Sequence, residues 1–200
     1  MKLVLIRHGA TAWSVSGQHT GRTDIALLPD GIEQATRAIG NVRSALGAEW
    51  ETATIISSPL QRAHTTAGII FGADRVSTDD NLMEMHYGDY EGLTSVEIRA
   101  NRPDWDLWRD GCPNGETTEQ VGVRCDAFLS AHVPTAIGAP GTIAVVAHAH
   151  LLRILAARAL GLKAAQGRLF MLHTAATSVI EDIRGNRCVS LWNLSAEPSS

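Results

Sequence analysis

Two apolar runs, far apart in the chain, each stop abruptly at a histidine. Residues 1–6 lead into Arg7-His8-Gly9, and residues 143–147 lead into His148-Ala149-His150. Continuous apolar runs of this length, bounded by glycine or polar turn residues, predict strands buried on both faces. The rest of the pattern alternates with them. A helix is expected over 30–46, with Asp30 as N-cap, Glu33 three residues on and Gly47 as the stop. A strand is expected over 53–56, then a helix opened by Pro59 and running to Phe71 before Gly72. A short strand at 75–77 precedes an irregular stretch, 80–115, that holds one helix at 94–101. Helices at 116–133 and 150–160 flank the strand at 142–147. Two β-rich segments, 168–172 and 178–182, come before a last strand at 188–194. Strands alternating with helices predict an α/β fold with a mostly parallel sheet covered on both faces. Neither an internal repeat nor a dividing linker is visible. One domain is expected over 1–194, with a flexible tail at 195–200.

Composition narrows the class. The chain has 200 residues, 44% hydrophobic and 19% charged, which suits a globular domain with a real core. Its net charge of -4 argues against a nucleic-acid partner, which selects for a basic stripe. Three widely spaced cysteines without a CxxC pair read as reduced thiols in a cytoplasmic protein. Neither a signal-peptide core nor an apolar run of membrane-spanning length is present.

In an open α/β sheet, ligands bind beyond the carboxyl ends of the strands. His8 and His148 are therefore expected over one pocket, with Arg7 beside them. A neutral imidazole is a competent nucleophile, and a guanidinium fork matches two phosphate oxygens. Ser57-Ser58-Pro59-Leu60-Gln61-Arg62 repeats the design, with Arg62 early in the helix after a strand. Glu84, in what reads as an apolar setting, is the candidate general acid. Asp89 and Glu91 are alternatives from spacing alone.

Taken in order, Arg7-His8-Gly9 with Thr11 and Trp13, Gly21 to Asp24, Ser57-Ser58-Pro59-Leu60 with Arg62, Glu84 and His148 resemble the histidine phosphatase superfamily. The branch is that of the cofactor-dependent phosphoglycerate mutases and related phosphatases. The resemblance implies a three-layer α/β/α sandwich and a metal-independent enzyme without a cofactor. It implies His8 as the phosphorylated nucleophile, Arg7 and Arg62 as phosphate ligands, His148 as the second pocket histidine and Glu84 as proton donor. The segments 16–24 and 108–117 are similar to a subgroup with fungal sedoheptulose-1,7-bisphosphatase and actinobacterial broad-specificity acid phosphatases. That similarity implies Gln18, Thr20 and Gly21 at the phosphate site and Tyr87 on the substrate side.

Three positions depart from the family pattern. Ala10 stands where Glu is usual, Ser14 where Asn is frequent and Ala149 where Gly follows the second histidine. Ser14 keeps a hydroxyl for a substrate contact, with less reach. These departures bear on substrate contacts rather than on the core chemistry. The mutases of this branch hold a carboxylate and a remote phosphate with a lysine and an Arg-Arg pair. Here the stretch after Tyr87-Gly88 is acidic, and Arg99, Arg102 and Arg109 never pair. Hydrolysis of small phosphorylated metabolites is therefore the expected activity, ahead of mutase activity or a non-catalytic phosphate-ester binding module. His19 is placed at the pocket border, His150 in packing or capping, and His64 and His132 on helix surfaces. Trp105 and Trp108 suit either a pocket roof or the core. The segment 168–194 offers apolar surface for a homodimer.

Overall fold

In the computed structural model, which describes residues 1–134 and 137–195, six strands form one sheet. They are β1 (Lys2–Arg7), β2 (Thr54–Ser57), β3 (Val76–Thr78), β4 (Thr142–Ala147), β5 (Thr177–Ile183) and β6 (Asn186–Leu194). Their order across the sheet is β3-β2-β4-β1-β5-β6. The pairings β2–β3, β2–β4 and β1–β4 are parallel, whereas β5 joins β1 and β6 antiparallel. The helices are α1 (Ala12–Ser16), α2 (Pro29–Leu46), α3 (Gln61–Phe71), α4 (Ser95–Asn101), α5 (Leu107–Asp110), α6 (Thr118–His132) and α7 (Ala149–Ala159).

The two-residue period of the central strand divides the core in two. Leu3 and Leu5 of β1 pack with Val145, Phe128, Val121, Leu151 and Leu155, on the α6–α7 face. Val4 and Ile6 pack with Val146, Ala38, Val42, Ala67 and Ile70, on the α2–α3 face. All four β1 side chains are fully buried. That double burial is why β1 reads as an unbroken apolar run, and it makes the expected three layers.

Several boundaries differ from expectation for local reasons. α2 begins at Pro29 with Leu28 as N-cap, and Asp30 falls in its first turn, where it favours the helix dipole. Leu60 is extended (ψ 132), so α3 opens at Gln61 and not at Pro59. Capping boxes at Thr94 with Glu97 and at Thr117 with Gln120 start α4 and α6. A third box, Thr11 with Ser14, builds the short α1, which the apolar pattern did not reveal. The expected β segment at 168–172 is instead the end of a 3-10 turn, Ala164–Leu169, and the coil after it. There Leu169 and Met171 are exposed while Leu172 is buried, so no strand face forms. Of the tail, Ser195 is described, and its carbonyl accepts from Asn41 Nδ2 at 2.9 Å. Residues 196–200 lie outside the described residues. No helix among the described residues is long and apolar enough to cross a membrane.

Candidate active site

Sheet register assembles the site. Arg7 pairs with Ala147 across β1–β4, and Ser57 pairs with Val146 across β2–β4. One residue further on, the ladder continues: His8 N–H donates to the Ala147 carbonyl and Ser58 N–H to the Val146 carbonyl, both at 3.0 Å. His8, Ser58 and His148 are thus neighbours at three adjacent strand ends. The His8 and His148 rings meet edge to face with centroids 5.2 Å apart. Gly9 permits this packing, because a Cβ there would stand 2.2 Å from the Gly31 carbonyl oxygen at the start of α2.

Both imidazoles are buried, at 5% exposure for His8 and 0% for His148. Burial, reinforced by the charges of Arg7 and Arg62, pushes the pKa of His8 well below its ordinary value. Burial and Arg62 do the same to His148. A neutral imidazole carries one proton, and His8 Nδ1 lies 2.7 Å from the Gly9 carbonyl, which can only accept. The proton is therefore on Nδ1, and Nε2 keeps its lone pair.

Arg7 and Arg62 are partly committed to backbone. Arg7 Nη1 donates to the Leu172 carbonyl at 2.8 Å. Arg62 is fully buried and donates to the carbonyls of Thr23, Thr20 and Gly21 at 3.0, 3.1 and 2.9 Å, which shapes the loop at 18–24. Each keeps a buried Nε with no partner, and so does His148 Nδ1. Buried donors left unmatched are costly, so a site that keeps several suits an absent acceptor.

Glu84 is 3% exposed, yet its setting is not the apolar one expected. Oε1 accepts from the N–H groups of Met85 and Leu151, both at 2.9 Å, and Oε2 accepts from His150 N–H at 3.1 Å. The carboxyl group therefore sits on the first turn of α7, where the backbone and helix dipole favour an acceptor. Asp89 and Glu91 do not line the cavity; Glu91 Oε1 accepts from Gly21 and Thr23 N–H at 2.8 and 3.1 Å.

A cavity of about 240 Å³ opens over these groups, and Arg7, His8 and Glu84 lie on its wall. Ser14, Gln18, Thr20 and Tyr87 also line it, as the sequence suggested, and His19 borders it. Their polar atoms are largely spent inside the protein: Ser14 Oγ in the α1 capping box, Gln18 Nε2 on the Gly92 carbonyl and Thr20 Oγ1 on the Gln18 carbonyl. Gly21 does not reach the cavity; it packs behind the wall against Met85 and Tyr87. Arg62 and His148 are not among the cavity-lining residues, although the His148 ring packs against that of His8, which is. His150 does more than pack, since it lines the cavity and its Nδ1 is 2.6 Å from the Tyr87 hydroxyl. Burial raises the Tyr87 pKa, so that hydroxyl stays protonated. Trp105 belongs to the core, and Trp108 lies under the Arg153 guanidinium. Arg153 is the charged cavity residue that sequence reasoning missed, and Gly17, Met171 and Leu172 line the cavity with it.

The departures Ala10 and Ala149 differ in place: Ala10 is buried and Ala149 lines the cavity. Among the described residues, no group of three or more His, Cys, Asp or Glu is arranged to hold a metal ion. The chemistry this geometry allows is attack by an imidazole nitrogen on a centre whose oxyanions meet several buried N–H donors.

Comparison with known proteins agrees with that chemistry. Residues 3–195 match the histidine phosphatase superfamily (branch 1). An acid phosphatase of Mycobacterium tuberculosis is 34% identical over 98% of this chain and 94% of its own length. Sedoheptulose 1,7-bisphosphatase of Saccharomyces cerevisiae is 37% identical over 80% of this chain and 68% of its own length. A solved structure of a Mycobacterium tuberculosis open reading frame product superposes with a TM-score of 0.87 at 32% identity, covering 98% of both chains. The chain belongs to the histidine phosphatase superfamily and is a phosphoric monoester hydrolase within it.

Proposed function

We propose that this enzyme hydrolyses small phosphorylated metabolites, sugar phosphates or bisphosphates and phosphoglycerate-like esters, through a phosphohistidine at His8 and without a metal. In the first half-reaction His8 Nε2 bonds to phosphorus as the ester oxygen–phosphorus bond breaks. The electron pair leaves with the ester oxygen, which takes a proton from Glu84. In the second half-reaction a water oxygen bonds to phosphorus, the nitrogen–phosphorus bond breaks, and Glu84 takes the water proton. Arg7 Nε and Arg62 Nε donate to the non-bridging oxygens, where charge is concentrated during transfer.

His148 joins them as a neutral donor. Its Nε2 is 2.8 Å from Ser58 Oγ, and that oxygen already accepts from Leu60 N–H at 3.3 Å. If Ser58 donates its own hydrogen to Nε2, the hydroxyl, Nε2 and Leu60 N–H are all matched and the His148 proton rests on Nδ1. The buried Nδ1–H is then a third donor for the phosphoryl group. The opposite tautomer would leave the Ser58 hydrogen without an acceptor and turn a lone pair toward an anion.

The observation that carries this reading is the set of buried donors without partners, Arg7 Nε, Arg62 Nε and His148 Nδ1, around a His8 whose Nε2 is free. Exposure of Arg99, Arg102 and Arg109 supports hydrolysis over mutase activity, because none of them lines the cavity. A cytoplasmic setting suits Cys112 and Cys125, both buried free thiols; burial pushes the Cys112 thiol up to about 12.

The test is a rapid acid-sensitive trap with a 32P-labelled aryl phosphate. The wild-type chain should carry acid-labile, base-stable label within one turnover, and His8→Ala should carry none and release no phosphate. Substantial hydrolysis by His8→Ala would overturn the assignment. A primer of bisphosphoglycerate with 3-phosphoglycerate separates hydrolysis from isomerisation by which product accumulates.

A further inference from the structure

Gly21 and Glu91 do not line the cavity, yet they bond to each other beside Gln18, His19 and Thr20, which do. Glu91 Oε1 accepts from Gly21 N–H at 2.8 Å and from Thr23 N–H at 3.1 Å. The same short loop binds Arg62 through its carbonyls. Arg62 Nη2 donates to Thr20 and Gly21 at 3.1 and 2.9 Å, and Nη1 donates to Thr23 at 3.0 Å. The Thr20 carbonyl and the Gly21 N–H belong to one peptide unit, and in a trans peptide the two point in opposite directions. That peptide therefore lies between a guanidinium and a carboxylate. Each charge polarises it for the other, which strengthens both bonds.

Two features show that the bridge is built into the fold. A Cβ on residue 21 would stand 2.5 Å from Glu91 Oε2 and 2.6 Å from the Met85 carbonyl oxygen, so glycine lets the backbone reach the carboxylate. The bridge also engages both Nη groups of Arg62 and leaves Nε without a partner among the described residues. A guanidinium is planar and rigid, so once both Nη groups are held the direction of Nε–H is set by the loop. Glu84 and Asp24 also favour the Arg62 charge. Their carboxylates bond elsewhere, Glu84 to the N–H groups of Met85, His150 and Leu151 and Asp24 to Gln61 N–H. Of these three acids, Glu91 is the one that shares a peptide with Arg62.

Resting on the hydrolase reading above, we propose that Glu91 is a positioning residue: through the peptides of Gly21 and Thr23 it sets the loop carbonyls that orient Arg62, and so aims Arg62 Nε at the phosphoryl group. The loop has other moorings, since His19 N–H donates to the Leu93 carbonyl and Gly92 N–H to the His19 carbonyl, both at 2.9 Å. Loss of the carboxylate therefore spoils the aim without detaching the loop.

The test is a cycle of Glu91→Ala, Arg62→Met and the double variant, read with p-nitrophenyl phosphate. Glu91→Ala should lower kcat/KM by about tenfold, a part of the loss expected for one missing oxyanion donor. Glu91→Gln, which keeps an oxygen for both N–H groups, should recover most of it. In the Arg62→Met background, Glu91→Ala should cost less than about twofold, because residues that act as one unit are not additive. Losses that multiply would overturn the proposal, since Glu91 would then act independently of Arg62. So would Glu91→Gln as impaired as Glu91→Ala. Asp89→Ala controls for damage to the same turn; its carboxylate accepts from Asn114 Nδ2 at 3.0 and 3.2 Å and does not touch the loop. It should stay within about twofold of wild type, the usual span for a surface substitution, and a loss equal to that of Glu91→Ala would also overturn the proposal. The 15Nε–1Hε resonance of Arg62 reads the aim without turnover. In Glu91→Ala it should shift and respond less to added vanadate, whereas in Asp89→Ala it should match wild type. A displaced resonance, in a protein whose wild type hydrolyses nothing, would keep the positioning role and reject the hydrolase reading. An unmoved resonance beside normal wild-type hydrolysis would do the reverse.

Discussion

The strand-end cup and the wall that faces it are held by different forces. In the cup, His8, Ser58 and His148 are placed by the parallel ladder itself, each one residue beyond a paired position. In the wall, residues 80–117 contain only short turns and helices, and side chains bonded to backbone give the segment its shape. Arg124 Nη1 donates to the carbonyls of Asn81 and Met83 at 2.6 and 3.0 Å. Glu116 accepts from Arg124 Nε and His86 N–H, both at 2.8 Å, and Trp105 Nε1 donates to the Gly111 carbonyl at 2.9 Å. Gly88 turns at a φ of 53, pressed against the Pro113 carbonyl, where a side chain has neither the conformation nor the room. A ladder fixes positions through a cooperative sheet, whereas the wall depends on a few replaceable contacts. The proposed nucleophile and phosphate donors therefore belong to the rigid part, and the proposed substrate contacts to the adjustable part.

Glu84 is the exception that tests the division, because it lies in the wall segment yet is tied to α7 through His150 and Leu151 N–H. Glu84→Gln keeps the shape but places an NH2 among backbone donors and removes the transferable proton. Hydrolysis of alkyl phosphates should fall by about 100-fold, within the ordinary range for a lost general acid. Aryl phosphates, whose leaving groups need less protonation, should lose markedly less. Equal losses for both ester types, measured as kcat/KM, would remove Glu84 from proton transfer and leave it a cap.

The same division explains what could be read from the sequence. Unbroken apolar runs exposed β1 and β4, and with them Arg7, His8 and His148, because a strand buried on both faces has no polar alternation to blur it. Arg62 followed from its place in the helix after β2. Arg153 occupies the comparable place after β4, in the second turn of α7, and the same argument would have found it. The setting of Glu84 was not readable, since its three donors come from residue 85 and from residues 150 and 151 far along the chain. Nor was the commitment of Ser14 to an N-cap, because a serine hydroxyl reads alike whether it faces substrate or its own helix. The 3-10 turn at Ala164–Leu169 defeated its apolar pattern by splitting Leu169 and Met171 from Leu172.

Two substitutions should separate ladder from wall. Arg124→Met removes the bonds that hold residues 81–83 and leaves Glu116 with His86 N–H at 2.8 Å and Arg22 at 3.9 Å. It should cost about 2–3 kcal/mol of stability, by loss of charge-assisted bonds to partly buried acceptors, and raise amide exchange in residues 81–91. Ser58→Ala leaves the wall alone. It should lower kcat by about tenfold through loss of one well-placed donor and move the His148 proton, visible as an exchange of its 15N shifts. An unchanged tautomer, or wall exchange that rises as much in Ser58→Ala as in Arg124→Met, would erase the distinction.

The smallest effect concerns pH, and it tests whether the cup is closed to water. His8 and His148 both have their pKa values lowered well below the ordinary 6.5 by burial and by nearby arginines. Above pH 6.5 the imidazoles are neutral in the folded and unfolded chain alike, and they contribute nothing to the pH dependence. As pH falls through that value the unfolded chain binds protons that the folded chain refuses. Stability therefore declines toward acid, by up to about 1.4 kcal/mol per pH unit for each such histidine. The acids whose pKa values lie low in the fold, Glu49, Glu97, Asp110, Glu116 and Asp182, cost stability only as pH falls toward and below their ordinary values of 4.5 for Glu and 3.8 for Asp. The window between about pH 6.5 and 5 thus isolates the histidines. Urea unfolding should show a falling midpoint across it, and His148→Asn should flatten the slope in part, since His8, His19 and His150 are lowered by burial as well. A midpoint that stays level in the wild-type chain would mean that water reaches both imidazoles. The unmatched donors around His8 would then be solvated rather than waiting for a phosphoryl group, and the rigid half of the comparison would lose its chemical meaning.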